Sequence, residues 1–165
     1  MHHLRPAVLK DGSEITRIMN IAIQEGQNGY VNQLKDIIAD NWFNTLYNNS
    51  LCLISVEIDS LIVGWGSLTE YRGGRPAFDA TLEISFYVDP KSKRQGIGNS
   101  LVIHLEQEAR KMKIETLIAI LLGDNMASIN LLKSHMYSEW GRMPNAAVMA
   151  GSSVDHLYYG KHLTA

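Results

Sequence analysis

Apolar and polar positions change period several times along this chain, and each change predicts an element. A short apolar-alternating start, His3–Ala7, reads as a strand. It is followed by a helical period from about Gly12 to Glu25. Asp11 and Glu14 stand three residues apart and predict a capping box at that helix start. A second helical stretch is expected around Val31–Asn48. Two β-rich runs follow, Leu51–Ile58 and Leu61–Thr69, joined through Glu57-Ile58-Asp59-Ser60 as a tight hairpin. Thr81–Val88 alternates as a strand, with Leu82, Ile84, Phe86 and Val88 on one face and Glu83 on the other. Leu101, Leu105, Ala109 and Met112 recur at helical spacing within Gly98–Lys113, where Glu106, Glu108, Arg110 and Lys111 occupy other positions. Thr116–Leu122 is almost wholly apolar, as in a strand covered on both faces. A helix is expected at about Ala127–His135. Two strands around a turn at Ala150–Ser153 close the chain. The order is mixed α/β with an antiparallel first half.

Composition narrows the class. The 165 residues suit one domain spanning 1–165, and 45% hydrophobic content supports a real core. A net charge of −2 gives no argument for nucleic acid. No apolar run is long enough to span a bilayer and no signal-peptide pattern opens the chain, so a cytoplasmic protein is expected. Cys52 is the lone cysteine. It lies in the apolar run Leu51–Val56, reads as a buried thiol and excludes an internal disulfide. The six histidines show no ligand spacing beyond the His2-His3 pair, and no metal site is expected.

The chemistry concentrates at Ser92-Lys93-Arg94-Gln95-Gly96-Ile97-Gly98-Asn99, between the Thr81–Val88 strand and the following helix. Gly96 and Gly98 leave the backbone bare where it turns into the helix. The first amides of a helix lack carbonyl partners and carry partial positive charge, which together makes an anion site suited to a pyrophosphate. Lys91, Lys93 and Arg94 add cations. A Walker loop requires Gly-Lys-Ser/Thr, and none is present. A Rossmann fingerprint requires a third glycine where Leu101 stands. Both fail, which leaves a strand, a basic glycine-containing loop and a helix.

Taken together, these segments resemble the GNAT superfamily of acyltransferases, in particular the branch of phosphinothricin and methionine sulfoximine N-acetyltransferases. The superfamily's acyl-CoA motif, Gln/Arg-x-x-Gly-x-Gly/Ala, is matched by Lys93-Arg94-Gln95-Gly96-Ile97-Gly98, with Lys in the first place. The branch is matched by Arg75-Pro76-Ala77-Phe78, Thr81-Leu82-Glu83, Phe86-Tyr87-Val88-Asp89-Pro90 and Asn125-x-x-Ser128-Ile129. Gly64-Trp65, Trp42-Phe43 and Asp155 also match. The resemblance implies a central mixed, mostly antiparallel sheet with helices on both faces. Its fourth and fifth strands, Thr81–Val88 and Thr116–Leu122, splay apart around a pantetheine arm.

The resemblance further implies acetyl-CoA as acyl donor, held by Val88, Lys93, Arg94, Gln95, Gly96, Ile97, Gly98, Asn99, Asn125 and Ser128. Glu83 lies six residues before Asp89, roughly 20 Å along a strand, comparable to an extended pantetheine. The implied reaction is N-acetylation of a small-molecule amine, an amino-acid analogue among the candidates, by direct attack on the thioester. An amine must lose its proton to attack, and its pKa is near ~8 to ~10, so a base is needed. Alternation alone makes Glu83 a solvated strand residue; its Thr-x-Glu context makes it the base. Arg72, Arg75, Phe78 and Asp79 are the expected substrate-binding residues. Asp79 stands where the branch often carries an arginine, which extends the acceptors to cationic amines.

Two more departures matter. Leu132 stands where the family usually places a His or Tyr beside the departing thiolate, with His135 one turn on and Tyr158 and Tyr159 as substitutes on the last strand. Met136-Tyr137 replaces the usual Gly-Phe after the last helix. A homodimer is expected by resemblance. The alternative function is a non-catalytic acyl-CoA-binding or sensing domain of the same fold, which Leu132 favours and Glu83 opposes.

Overall fold

The computed structural model describes residues 1–163. One seven-stranded sheet runs through them in the order β1-β2-β3-β4-β5-β7-β6. Strands β1 (His3–Pro6), β2 (Ser50–Ile58), β3 (Leu61–Glu70) and β4 (Thr81–Val88) pair antiparallel in succession. Asp59 and Ser60 both take positive φ, 49° and 65°, which fits the primed turn that matches strand twist in a two-residue hairpin. Strand β5 (Thr116–Leu122) lies parallel to β4 and antiparallel to β7 (Ser152–His162), which pairs with the edge strand β6 (Ser138–Met149).

The β4–β5 pairing positions the site. It consists of three partners only: Thr81 with Thr116, Leu82 with Leu117, and Glu83 with Ile118. Beyond Glu83 the two strands diverge, as the fold expectation required. The edge of β4 from Ile84 to Val88 that would face β5 therefore has no strand partner.

Helices cover both faces. On one face, α3 (Ile97–Lys111) and α4 (Met126–Ser134) pack Leu101, Leu105, Ile129 and Leu132 against Val56, Leu82, Ile84 and Leu117. On the other face, α1 (Gly12–Gln24) and α2 (Asp36–Asn49) pack Ile15, Ile18, Met19 and Phe43 against Ile62 and Trp65. Each fully buried aliphatic side chain contributes about 1.5–3 kcal/mol of apolar transfer. Among the described residues, no helix is long and apolar enough to cross a membrane.

Four local expectations are corrected. Asp11 does not cap α1 with its side chain. It is buried, and its carboxylate accepts both Arg5 guanidinium nitrogens (2.6 and 2.9 Å), the Val8 amide and the Ser55 hydroxyl. The ion pair with Arg5 on β1, together with the Ser55 hydroxyl on β2, outcompetes the local cap. Helix α2 begins five residues later than its apolar pattern predicts. Asn20 bonds both backbone groups of Leu34, accepting from its N–H (2.7 Å) and donating to its carbonyl (2.8 Å), and Leu34 is buried. Those contacts hold 31–35 out of a helix. Glu106, assigned by pattern to a polar face of α3, is buried, where Lys161 donates to it at 2.7 Å. Met112, at the apolar spacing, is exposed.

Candidate active site

The loop after β4 is built outward from Asp89. This buried carboxylate accepts from the Lys91 amide at 3.0 Å and from Arg17 of α1 at 2.6 Å. Burial pushes its pKa up, but the Lys91 amide and the Arg17 guanidinium outweigh that and hold it below the usual carboxylate range. The Asp89 amide in turn donates to the Val63 carbonyl at 2.8 Å. The loop thus starts from a fixed point in the sheet. Arg94 and Gly96 then take positive φ, 64° and 77°, and α3 starts at Ile97. Only glycine adopts such backbone without strain, which accounts for Gly96. A Cβ at Gly98 would stand 2.9 Å from the Leu131 Cδ2, so α3 and α4 approach closely there.

A cavity of about 420 Å³ opens at this helix start. Val88, Lys93, Arg94, Gly96, Ile97, Gly98 and Asn99 line one side, and Asn125 and Ser128 line the other. Gln95 is exposed and does not line it. Lys93 is paired with Glu25 at 3.1 Å, and the Asn99 Oδ1 accepts from the His135 Nε2 at 2.8 Å. Asn125 caps α4, its Oδ1 accepting the Ser128 amide at 3.2 Å. Its Nδ2 donates to the Gln27 carbonyl at 3.3 Å, tying the α1–α2 loop to α4.

From this cavity a narrow gap of about 40 Å³ runs between the diverging strands, bounded by Ser85, Tyr87, Ala119, Leu121 and Leu132. A third space of about 450 Å³ lies beyond it and shares Gln27, Ser85 and Tyr87 with the gap. Glu83 lines this third space. Burial raises its pKa, and among the described residues no hydrogen bond or ion pair engages its carboxylate. The structure therefore places Glu83 in a part-buried cavity and not on a solvated strand face. Neighbouring Tyr87 stacks on Trp65 with ring centroids 4.6 Å apart, and burial drives its phenol well above its ordinary range.

Arg72, Arg75, Phe78 and Asp79 stand apart from this arrangement. They lie on the exposed loop between β3 and β4, and none of them lines the Glu83 cavity. Arg72 sits 5.3 Å over the Tyr71 ring, and Phe78 packs edge-on to Tyr71 at 5.8 Å. Leu132 is buried in the wall of the gap, His135 faces Asn99, and Tyr159 is buried; none offers an acid at the Glu83 cavity.

Sequence reasoning missed Gln27, Tyr30 and His156, all of which line the Glu83 cavity. Gln27 borders all three spaces. Its only sequence signal was a loop with Gly26 and Gly29 between two helices. His156 is two positions from Tyr158 on β7, opposite Leu122, so strand alternation gave its face but not its neighbours.

The comparisons with known proteins agree with this geometry. The L-methionine sulfoximine/L-methionine sulfone acetyltransferase of Salmonella typhimurium is 27% identical over 155 residues, covering 92% of this chain and 89% of that protein. The L-amino acid N-acyltransferase MnaT of Escherichia coli is also 27% identical over 155 residues, covering 92% and 88%. Among solved structures, an N-acetyltransferase from Staphylococcus aureus superposes with a TM-score of 0.88 at 26% identity, covering 99% of both chains. A GNAT phosphinothricin acetyltransferase from Sinorhizobium meliloti, solved in complex with acetyl-CoA, superposes at 0.86 with 22% identity, covering 98% of this chain and 88% of that one. The family model described as acetyltransferase (GNAT) family matches residues 15–136, and the chain belongs to that family.

Proposed function

We propose that this chain is an acetyl-CoA-dependent N-acetyltransferase acting on the amine of a small molecule. The observation that carries the reading is the three-residue β4–β5 pairing ending at Glu83, with an anion-suited cavity on one side of the divergence and the Glu83 cavity on the other. Acetyl-CoA lays its pyrophosphate on the amides near 94–99, with Val88, Lys93, Arg94 and Asn99 around it. Its pantetheine follows the unpaired edge of β4, past Asn125 and Ser128. The thioester then reaches the neighbourhood of Glu83.

Glu83 takes a proton from the acceptor ammonium, directly or through water, and the raised pKa that burial gives it makes it a better base. The neutral amine attacks the thioester carbonyl. A free β4 amide donates to the resulting oxyanion, the C–S bond breaks, and the second proton of the attacking nitrogen passes to the departing CoA thiolate, directly or through water, leaving the amide and the free thiol. Holding amine and thioester together supplies proximity. The curated relatives acylate amino acids or their analogues, which supports an amino-acid-like skeleton for the acceptor. Their names also favour an enzyme over a non-catalytic binding domain. The test is thiol release from acetyl-CoA across an amine panel, compared with acetyl-CoA binding measured alone. Binding without release from any amine would leave only the non-catalytic reading.

One catalytic domain spanning 1–165 is part of the proposal, supported by a single sheet from His3 to His162. So is a homodimer, supported by the apolar Trp140, Met143 and Val148 exposed on edge strand β6. Sedimentation equilibrium showing a monomer at tens of micromolar, a self-association weaker than ~−6 kcal/mol, would remove the dimer.

A further inference from the structure

We infer that His135 is a positioning residue for the cofactor: it fixes the Asn99 amide so that the end left for the phosphate cavity is a donor. The inference rests on the acetyltransferase reading and adds a residue to its cofactor site. An asparagine amide has an oxygen that only accepts and a nitrogen that only donates. At an anion site these two ends act in opposite senses. The nitrogen bonds a phosphate oxygen, and the amide oxygen repels it. Asn99 lines the cavity from the first turn of α3. Its Oδ1 accepts from the His135 Nε2 at 2.8 Å. Among the described residues no hydrogen bond engages its Nδ2, which is the end that remains for the cavity. The Asn99 backbone N–H is free in the same sense. The first amide of α3 to find a carbonyl is that of Ser100, on Gly96 at 3.0 Å. Asn99 thus presents two donors once its one side-chain acceptor is occupied.

The other end of the bond is held by α4. His135 is the C-terminal cap of that helix, and its N–H donates to the Leu131 and Leu132 carbonyls at 3.2 and 3.0 Å. Helices α3 and α4 already meet beside it, where a Cβ at Gly98 would stand 2.9 Å from the Leu131 Cδ2. The bond joins positions 36 residues apart in the chain and bridges the two helices that flank the cavity. Both the imidazolium and the Nε2–H tautomer donate to an oxygen, so the role survives either charge state. Without this partner the terminal amide torsion is broad, and Oδ1 is free to turn toward the phosphates. Lys93, a nearby cation, is already shared with Glu25, which leaves more of the anchoring to oriented neutral donors.

The test is calorimetric titration of acetyl-CoA into wild type, Asn99→Ala, His135→Ala, the double variant and His135→Gln, each with a thermal melt. Asn99→Ala should weaken binding about tenfold, the scale of a hydrogen bond to a charged group. His135→Ala should weaken it about threefold, since the amide is freed but not removed. The double variant should bind no more weakly than Asn99→Ala alone, because His135 acts through Asn99. His135→Gln keeps an N–H donor and should bind within about twofold of wild type. A His135→Ala effect that persists undiminished in the Asn99→Ala background overturns the inference. So does a His135→Ala variant with unchanged Kd and a lowered Tm, which would leave His135 only a helix-end role. Both results leave the acetyltransferase standing. Wild-type protein that binds no acetyl-CoA overturns that reading itself.

Discussion

Glu83→Gln separates three roles of one side chain. Glutamine keeps the shape and cannot take a proton. If Glu83 is the base, kcat should fall by roughly 10²–10³-fold, the usual scale of one acid–base group and about 2.7–4 kcal/mol of activation free energy. Acetyl-CoA affinity should change little. The loop proposed to hold the pyrophosphate starts about six residues along the strand, roughly 20 Å away. At that separation one unit charge contributes only about 0.2 kcal/mol in water, so Kd should stay within about twofold. Stability should move the other way. Burial raises the folded pKa of Glu83 above its ordinary 4.5, so the folded state holds this proton more tightly than the unfolded chain. Wild-type stability therefore declines as pH rises from about 4.5 through the folded value, a decline the variant lacks. Glu83→Gln should be at least as stable as wild type at neutral pH while far less active. The assays are thiol release with an identified acceptor, calorimetric titration of acetyl-CoA, and thermal melts at pH 4 and pH 7. If glutamine only reshapes the pocket, the loss is modest and shrinks at high pH, where more amine is already neutral. Near-wild-type turnover at neutral pH would falsify the assignment of Glu83 as base.

Three further outcomes are expected. Gly98→Asp sets a carboxylate at the helix start beside the phosphates, against Leu131, and should weaken acetyl-CoA binding by at least about tenfold, about 1.4 kcal/mol; unchanged calorimetric affinity refutes the loop assignment. Asp89→Asn should cost about 1–2 kcal/mol, discounted because Arg17 is partly exposed. Because the folded pKa of Asp89 is depressed, its contribution is present above the unfolded carboxylate value and lost as pH falls through the folded one. Melts of wild type and variant should therefore converge in acid, and a gap independent of pH removes the ion-pair account. Met136 carries φ 68° at the end of α4 and is exposed, so Met136→Gly should stabilise by about 1 kcal/mol, read as a higher Tm; a lower Tm shows that its side chain contributes more than the backbone strain costs.

Local pattern was enough for most elements. Strands Thr81–Val88 and Thr116–Leu122 have the limits their alternation and apolar run implied, because a strand's period is written in adjacent residues. The glycine-containing loop was equally legible, since Gly96 and Gly98 act through their own backbone. Asp11, Leu34 and Glu106 were misplaced for one common reason. Each is decided by a partner on another element, Arg5 of β1 with Ser55 of β2, Asn20 of α1, and Lys161 of β7 respectively, and a pair formed in a part-buried setting outweighs local propensity. The candidate site divides the same way. Sequence singled out the glycine-containing loop proposed for the pyrophosphate and, through the resemblance carried by Thr81-Leu82-Glu83, Glu83 itself, because both lie in short motifs. Only the tertiary structure brought Gln27, Tyr30 and His156 around Glu83, left Arg72 and Arg75 outside, and set the cavity's charge. Those facts depend on which strands and loops meet across more than a hundred residues of chain, and no local period encodes them.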